Sequence, residues 1–362
     1  MLTRSPADRS PRQAPLKPMK IALEILRQQA DHAPKAQTFV LEDVAEGTTI
    51  LDCLNRVKWE LDGSLAFRKN CRNTICGSCG MRINGRSALA CKENVGETLA
   101  KFPPRTVNGL PAIAIAPLGN LPVVKDLVVD MAPFWRDLRA VDPFVSAAAR
   151  QDPTGDREAA AETLQLPEER AKLAAAGNCI LCGACYSECN AKEANPNFVG
   201  PHALAKAQRL VDETRDTATA ARLERYGTTD GVWGCTRCYY CNDVCPMEVA
   251  PLDRIRDIKS AILARTPDSP AASRAVRHRK TLVQTVREGG WVDERKFALR
   301  VMGNGFRDLG AIAALGPLGL RMLTRGKLPL TFEPSAGTDQ VRDLIDAVRS
   351  REAQSHHGED PA

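Results

Sequence analysis

Two runs of four cysteines constrain what this chain can fold into more than any other feature. Both have the spacing C-x2-C-x2-C-x3-C, and the second run is followed by proline. This spacing is typical of bacterial ferredoxins, in which three thiolates hold one iron–sulfur cluster and the fourth binds a second cluster. Two such runs can exchange their fourth ligands and form two adjacent four-thiolate sites. The cysteines are Cys179, Cys182, Cys185 and Cys189 in the first run and Cys235, Cys238, Cys241 and Cys245 in the second.

Structural zinc sites are the alternative, because zinc also binds thiolates. Zinc proteins usually carry separate C-x2-C pairs, whereas a run of four that ends in Cys-Pro belongs to the ferredoxin pattern. Cys245 and Pro246 complete that pattern here. The spacing therefore favours iron–sulfur clusters over zinc.

A third cysteine group lies nearer the N-terminus and has the spacing C-x4-C-x2-C, with its last member twelve positions further on. Plant-type two-iron ferredoxins use this kind of spacing. Gly77 and Gly80 lie within the loop, where the backbone has to pass close to the cluster and can need a positive φ. We expect a two-iron cluster bound by Cys71, Cys76, Cys79 and Cys91.

Composition excludes several other classes of protein. Thirteen cysteines without a hydrophobic signal segment argue against a secreted disulfide scaffold. A formal charge of +6 and an aromatic content of 5% do not favour nucleic-acid binding. No stretch reaches the roughly 18 uninterrupted apolar residues of a membrane span. We expect a cytoplasmic metalloprotein in which Cys53, outside the three groups, is a core residue.

Periodicity predicts strands before the first cysteine group. Residues 21–25 and 38–41 alternate as a β-hairpin does, and residues 49–59 follow as an amphipathic helix capped by Thr48 or Thr49. Asn84-Gly85 between two strand-like segments predicts a tight hairpin turn. The proline-rich basic residues 1–18 predict a disordered tail.

Helical patterns surround the two later runs and continue to the C-terminus. The predicted helices are 168–176 with Gly177 as C-cap, 203–214, 252–264, 274–288 and 339–352, the last followed by a disordered His-rich tip. Residues 309–323 are apolar but too short and too interrupted to span a bilayer. This stretch could pack on the domain, dock on a partner, or lie on a membrane with Arg321, Arg325 and Lys327 at the head groups. We favour partner docking.

The order of the three groups resembles the iron–sulfur subunit of succinate dehydrogenase and fumarate reductase. The similarity covers about residues 19–262. It includes Phe67-Arg68, residues 71–91, 121–131, Phe134-Trp135, 179–189, 200–216 and 241–246.

The resemblance implies an α+β fold with a β-grasp plant-type ferredoxin domain, an α-helical bacterial-ferredoxin-like domain and a helical C-terminal extension. The corresponding segments are a tail over 1–18, the two-iron domain over 19–120, the helical domain with two cubane clusters over 121–262, and the extension over 263–362.

The resemblance also implies a function. In that family the subunit has no substrate site and relays single electrons between the FAD of a flavoprotein partner and a quinone or another acceptor. We therefore expect a flavoprotein subunit and a cysteine-rich or membrane-anchor acceptor subunit as partners, with a quinone involved only indirectly, in a complex that is peripheral to the inner face of the cell membrane.

Cys238 is the first departure from the common family pattern. The middle four-iron cluster corresponds to Cys179, Cys182, Cys185 and Cys245. The common third cluster is a three-iron centre whose ligands correspond to Cys189, Cys235 and Cys241, and Cys238 supplies a fourth thiolate here. We expect a second four-iron cluster, or a three-iron cluster if Cys238 is not a ligand.

The usual quinone pocket is the second departure. Residues 190–194 replace a Pro-Ser and tryptophan motif, and Thr236 replaces a histidine. Both changes resemble the anchor-less subclass, whose acceptor is a cysteine-rich subunit similar to heterodisulfide reductase. A thiol/disulfide-coupled fumarate reductase subunit and a stand-alone ferredoxin-like carrier remain alternatives.

Overall fold

The computed structural model describes residues 18–29, 32–147, 164–266, 272–329 and 331–357. The chain divides into two compact units, Met1–Ala261 and Ile262–Ala362, each described here by itself. Of the predicted disordered tail, only Pro18 belongs to the described residues.

A mixed sheet forms the N-terminal part of the first unit. Its strands are β1 (Met19–Arg27), β2 (Lys35–Val44), β3 (Gly80–Ile83), β4 (Arg86–Leu89), β5 (Thr106–Val107) and β6 (Leu110–Ala116). The strand order is β2-β1-β6-β3-β4, with β5 paired to β6. The strands β1 and β6 run parallel, and the other pairs are antiparallel. A separate small hairpin pairs β7 (Val123–Lys125) with β8 (Val128–Val129).

The predicted hairpin and helix are confirmed. Strand β1 pairs with β2 along its length, and helix α1 (Ile50–Arg56) continues into a wider π-type turn over Val57–Leu61. Thr49 caps the helix, because its hydroxyl accepts a hydrogen bond from the Asp52 N–H. The sheet and α1 bury one apolar core between them, and Cys53 lies in it with no exposed surface. Burial raises the pKa of the Cys53 thiol to about 12.

The predicted turn between β3 and β4 is also confirmed. Asn84 and Gly85 both have positive φ, 47° and 82°, as a tight two-residue hairpin turn requires. The Asn84 side chain accepts a hydrogen bond from the Ala114 N–H, 2.8 Å. This bond ties the turn to β6, so the strand that leads out of the first cysteine loop is fixed to the centre of the sheet.

Short helices form the remainder of the first unit. They are α2 (Val95–Lys101), α3 (Ala132–Arg139), α4 (Pro167–Gly177), α5 (Ala184–Ser187), α6 (Asn190–Ala194), α7 (Gly200–Val211), α8 (Thr219–Tyr226) and α9 (Tyr240–Asp243), and α10 (Pro251–Arg265) leads into the second unit.

Several predicted helix boundaries were wrong. Gly177 is the last helical residue of α4 rather than its C-cap, which is Asn178 in right-handed geometry. Helix α7 begins three residues earlier than predicted, since Gly200 turns the chain with φ +84° and Pro201 supplies the fixed φ of a first helical turn, and it ends at Val211 instead of residue 214.

The second unit contains five described helices, α11 (Arg274–Gly289), α12 (Glu294–Val301), α13 (Leu309–Ala314), α14 (Gly316–Thr324) and α15 (Thr338–His357). Arg287 on α11 forms an ion pair with Asp346 on α15, 2.8 Å. The helix α15 continues to His357, so the prediction of disorder directly after residue 352 was wrong. None of the helices in the described ranges is long and apolar enough to cross a membrane.

Replacing Cys53 by alanine is expected to lower the free energy of unfolding by about 1 kcal/mol, because the change leaves only a small cavity in the core. Iron content and visible absorbance should stay at the wild-type level. Denaturant unfolding and iron analysis of the same anaerobic preparation measure both effects. Loss of the two-iron absorbance would show that Cys53 is a ligand.

Candidate iron–sulfur centres

Backbone N–H groups surround the first thiol of the N-terminal cysteine group. Cys71 Sγ accepts hydrogen bonds from the N–H groups of Asn73, Ile75 and Cys76 at 3.3, 3.4 and 3.3 Å. These donors, with that of Asn73 contributing most, lower the pKa of Cys71 to about 6. The loop is therefore built to stabilise a thiolate at this position.

Cys91 reaches the same loop from the end of β4. The Thr74 N–H donates to Cys91 Sγ at 3.4 Å, which the loop achieves by placing Arg72 and Thr74 in left-handed conformations with φ 56°. Cys79 lies beside Cys91 and is buried, and this burial raises the pKa of its thiol to about 12. The structure thus brings together the four thiols that the spacing selects, with N–H donors directed at sulfur, and they fit a two-iron cluster.

The second group combines three cysteines of the first run with the last cysteine of the second run. Cys179 and Cys245 are close enough to Cys182 that negative charge on their sulfur atoms would raise its pKa, and Cys245 has the same effect on Cys185. The Val249 N–H donates to Cys245 Sγ at 3.4 Å. The four thiols line one cavity whose other walls are mostly apolar. Burial raises the pKa of the Cys182 thiol to about 11.

The third group contains the remaining four cysteines. Cys235 and Cys238 are close enough to Cys189 that negative charge on their sulfur atoms would raise its pKa. Cys189, Cys235 and Cys238 have the same effect on Cys241. Burial raises the pKa of the Cys189 thiol to about 11, against the smaller opposing effect of the backbone N–H groups of Lys192 and Ala191.

The loop of the second run turns through left-handed residues on both sides of Cys238. These are Arg237 with φ 60° and Tyr239 with φ 74°. About half of each ring of Tyr239 and Tyr240 is exposed, 53% and 49%. The turn therefore places Cys238 at the surface side of the third group.

Among the described side chains, no three His, Cys, Asp or Glu residues converge on a position for one metal ion.

Glycines bring the first two groups into direct contact. A Cβ at Gly77 would lie 2.9 Å from both the Cys182 Cα and the Ile180 carbonyl oxygen, and one at Gly80 would lie 2.8 Å from the Cys182 oxygen. Gly77 has the positive φ that we expected, 71°, whereas Gly80 does not. The neighbouring cysteine loop therefore leaves no room for a side chain at either position. The cysteine spacing in the sequence did not reveal this role of the two glycines.

Comparison with protein families agrees with this geometry. Residues 22–136 match the model of a 2Fe-2S iron-sulfur cluster binding domain, and residues 175–249 match that of a 4Fe-4S dicluster domain. The fumarate reductase iron-sulfur subunit of Escherichia coli O6:H1 is 34% identical over 246 residues, which are 68% of this chain and 93% of that protein. The chain belongs to the family of fumarate reductase/succinate dehydrogenase iron–sulfur subunits.

Other relatives of the subunit show the same extent of similarity. The fumarate reductase iron-sulfur subunit of Haemophilus influenzae is 35% identical over 244 residues, 66% of this chain and 91% of that protein. That of Mycobacterium tuberculosis is 36% identical over 244 residues, 66% and 92% of the two chains. About a third of this subunit thus has no counterpart in each of these alignments.

A solved structure shares the fold. A chain of the Mycobacterium smegmatis Sdh1 complex in the apo form superposes with a TM-score of 0.60, at 24% identity, over 70% of this chain and all of that chain. The likeness confirms the predicted α+β architecture, and the family assignment confirms the resemblance seen in the sequence.

The segment after Cys189, where the subunit departs from the common pattern, contains a buried lysine. Lys192 on α6 is 6% exposed. Its Nζ donates to Asp137 Oδ2 at 2.5 Å and to the carbonyl oxygens of Pro196 and Phe198 at 2.7 Å each. The Tyr186 hydroxyl donates to the same carboxylate at 3.1 Å. Sequence reasoning missed this ion pair, because its partners lie 55 residues apart without a shared motif.

His202 is a second residue that sequence reasoning missed. It lines the cavity of the second group and is 1% exposed. Its ring stacks on Phe134 with centroids 3.8 Å apart, and its Nε2 lies 3.0 Å from the Phe134 carbonyl oxygen. Burial lowers the pKa of His202 to about 4, so the imidazole is neutral in the folded chain.

Gly77→Ala and Gly85→Ala form a matched pair that tests the contact between the first two groups. Both place alanine at positive φ, which costs about 1–2 kcal/mol, but Gly85 has no atom within 4 Å of its Cβ position. We expect Gly77→Ala to lower the free energy of unfolding by a further 1–3 kcal/mol or so, because it overpacks the loops. Equal losses in denaturant unfolding would contradict the contact.

Lys192→Met should lower the free energy of unfolding by about 3–5 kcal/mol, because it leaves the Asp137 carboxylate buried without its cation. The double variant Lys192→Met/Asp137→Asn removes the charge as well and is expected to recover a large part of the loss. Denaturant unfolding of both variants measures the difference. A single variant as stable as the wild type would show that the ion pair contributes nothing.

Proposed function

We propose that this subunit relays single electrons between the FAD of a flavoprotein subunit and a separate acceptor subunit through three clusters. The two-iron cluster would be bound by Cys71, Cys76, Cys79 and Cys91, the middle four-iron cluster by Cys179, Cys182, Cys185 and Cys245, and the last cluster by Cys189, Cys235, Cys238 and Cys241.

The observation that carries this proposal is the contact of successive cysteine groups. Gly77 and Gly80 of the first loop approach the backbone of Cys182 so closely that neither has room for a side chain. The helices α5 and α9, which carry Cys185 of the second group and Cys241 of the third, pack on each other. Three groups whose loops and helices adjoin in this order support a linear relay within the first unit.

The clusters supply one-electron redox chemistry when bound, and the chain adjusts it through the surroundings of each sulfur. Three N–H groups stabilise negative charge at Cys71, whereas apolar walls surround the second group. Hydrogen bonds to sulfur and burial are the means by which a protein sets a cluster's potential.

The last group supports a four-iron cluster. Cys238 lies within electrostatic range of both Cys189 and Cys241, so a fourth thiol is available where the common family has three. The proposal of a second four-iron cluster therefore depends on Cys238 being a ligand.

The acceptor is proposed to be a cysteine-rich subunit rather than a quinone bound by this chain. Residues 190–194 form the short helix α6, whose Lys192 amine is used up in a buried ion pair. Nothing in this segment supports a quinone pocket of the common kind. The subunit would then be peripheral to the inner face of the membrane through its complex.

Affinity purification of the full chain from its native cells, under anaerobic conditions, tests the role in a complex. We expect a flavoprotein with covalent FAD and a cysteine-rich subunit to be retained in fixed ratio. Purification of the chain alone would favour a stand-alone ferredoxin-like carrier. Activity that depends on a thiol donor would favour the thiol/disulfide-coupled fumarate reductase.

Replacing Cys238 by serine tests the nuclearity of the last cluster. The wild type should contain about ten irons per chain, two in the first cluster and four in each of the others. The variant keeps Cys189, Cys235 and Cys241 and should gain the electron paramagnetic resonance signal of an oxidised three-iron centre. Cys53→Ala is the matched control, because it also removes one thiol.

A strong three-iron signal in the protected wild type would contradict this assignment. So would an unchanged spectrum in Cys238→Ser, because Cys238 would then not be a ligand. Cys53→Ala should give the wild-type spectrum and iron content.

A further inference from the structure

An apolar surface in the second unit is left uncovered by the described parts of that unit. We call residues 309–329 the interfacial segment; it comprises α13, α14 and the turn that follows. Neither helix has a buried residue. The side chains of Leu309, Leu318, Leu320 and Leu323 are 67, 52, 64 and 56% exposed.

The interfacial segment is nevertheless folded and anchored. The Asp308 carboxylate caps α13 by accepting a hydrogen bond from the Ala311 N–H, 2.9 Å. Ile312 packs against Gly303, where a Cβ would lie 2.8 Å from Ile312 Cδ1. After α14 the Lys327 N–H donates to the Met322 carbonyl oxygen, 2.8 Å. The exposed leucines are therefore presented by a structured surface.

The charge of this surface has one sign. Between residues 309 and 332 the sequence contains Arg321, Arg325 and Lys327 but no aspartate or glutamate. All three cations are exposed. None of them forms an ion pair with another described residue. The segment therefore complements an anionic surface.

The positions on α14 separate apolar from cationic side chains. At about 100° per residue, Leu318 and Met322 fall on one side, and Leu323 and Leu320 extend the apolar arc beyond half of the circumference. Arg321 falls within the remaining arc together with Pro317 and Thr324, and Arg325 follows directly after the helix as its C-cap. A basic polar face combined with a wide leucine-rich face is typical of helices that lie in a membrane interface.

We propose that the interfacial segment binds directly to the surface of an anionic phospholipid bilayer. The leucines would enter the boundary between head groups and acyl chains, and the three cations would lie among the lipid phosphates. A helix that docks in a protein groove presents its anchors at positions i, i+3, i+4 and i+7 of one apolar face. The wide apolar arc and the absence of acidic residues favour lipid over the partner docking that we expected from the sequence.

This inference goes beyond the proposed function and does not depend on it. Electron relay rests on the cysteine groups of the first unit, whereas lipid binding rests on residues 309–329. Failure of one proposal therefore leaves the other standing.

Flotation of the full, cluster-loaded chain with lipid vesicles tests the proposal. We expect the chain to float with vesicles that contain phosphatidylglycerol and to remain in solution with vesicles of phosphatidylcholine alone. Each cation near an anionic membrane contributes about fivefold to binding. The triple variant Arg321→Gln/Arg325→Gln/Lys327→Gln should therefore bind about a hundredfold more weakly.

A matched control removes the same charge elsewhere in the unit. Arg279, Arg349 and Arg351 are exposed, and replacing all three by glutamine lowers the net charge equally. This control should bind like the wild type. A loss equal to that of the first triple variant would show that net charge, rather than the segment, drives binding.

A second pair of variants tests the leucines. Leu320→Asp/Leu323→Asp should abolish flotation, whereas Leu344→Asp, at a side chain that is 66% exposed on α15, should not. Unchanged circular dichroism and iron content would show that the variants are folded.

Three results would overturn the proposal. They are no flotation of the wild type with phosphatidylglycerol, equal flotation with both lipids, and unimpaired flotation of the leucine double variant. If the wild type never floats and the leucine double variant loses a protein partner that the wild type binds, the surface would be assigned to protein docking instead.

Discussion

The structure depends on backbone N–H groups that are directed at cysteine sulfur. Thiolates are costly to bury, and the buried thiols of Cys79 and Cys182 accordingly have raised pKa values. Cys71 is the opposite case, because three N–H groups converge on its sulfur and lower its pKa. Such convergence requires a tightly wound loop, and Arg72 and Thr74 adopt left-handed conformations to provide it. The sheet and the short helices hold the ends of the cysteine loops in place.

Close contact between the loops imposes a second constraint. Gly77 leaves room for the backbone of Cys182, and Lys192 neutralises Asp137 directly behind Cys189. Gly77 and Lys192 thus help to position a cysteine loop, although neither residue is a proposed ligand. A buried ion pair adds little net stability but is costly to break from one side. The segment after Cys189 is therefore fixed rather than adaptable, which suits a site that passes electrons.

Much of the site follows from local sequence, because cysteine spacing and the alternation of apolar residues are local signals. The cysteine spacing selected the three groups. The alternation of apolar residues over 21–25 located the first strand, and the Asn84-Gly85 pair located the turn between β3 and β4. Contacts between distant segments left no local signal. The role of Gly80 and the burial of Lys192 depend on residues about 100 and 55 positions away, so only the fold reveals them. The proposal for α14 likewise depends on the exposure of its leucines, which the sequence alone does not reveal.

We propose that three clusters lie close enough together to form one relay. Electron paramagnetic resonance of the fully reduced wild-type chain, as a function of temperature and microwave power, tests it most directly. Neighbouring reduced centres accelerate each other's spin relaxation. The account predicts that the two-iron signal relaxes faster once the middle cluster is reduced, with additional splitting among the four-iron signals. Three independent signals, with relaxation unaffected by the state of their neighbours, would contradict it.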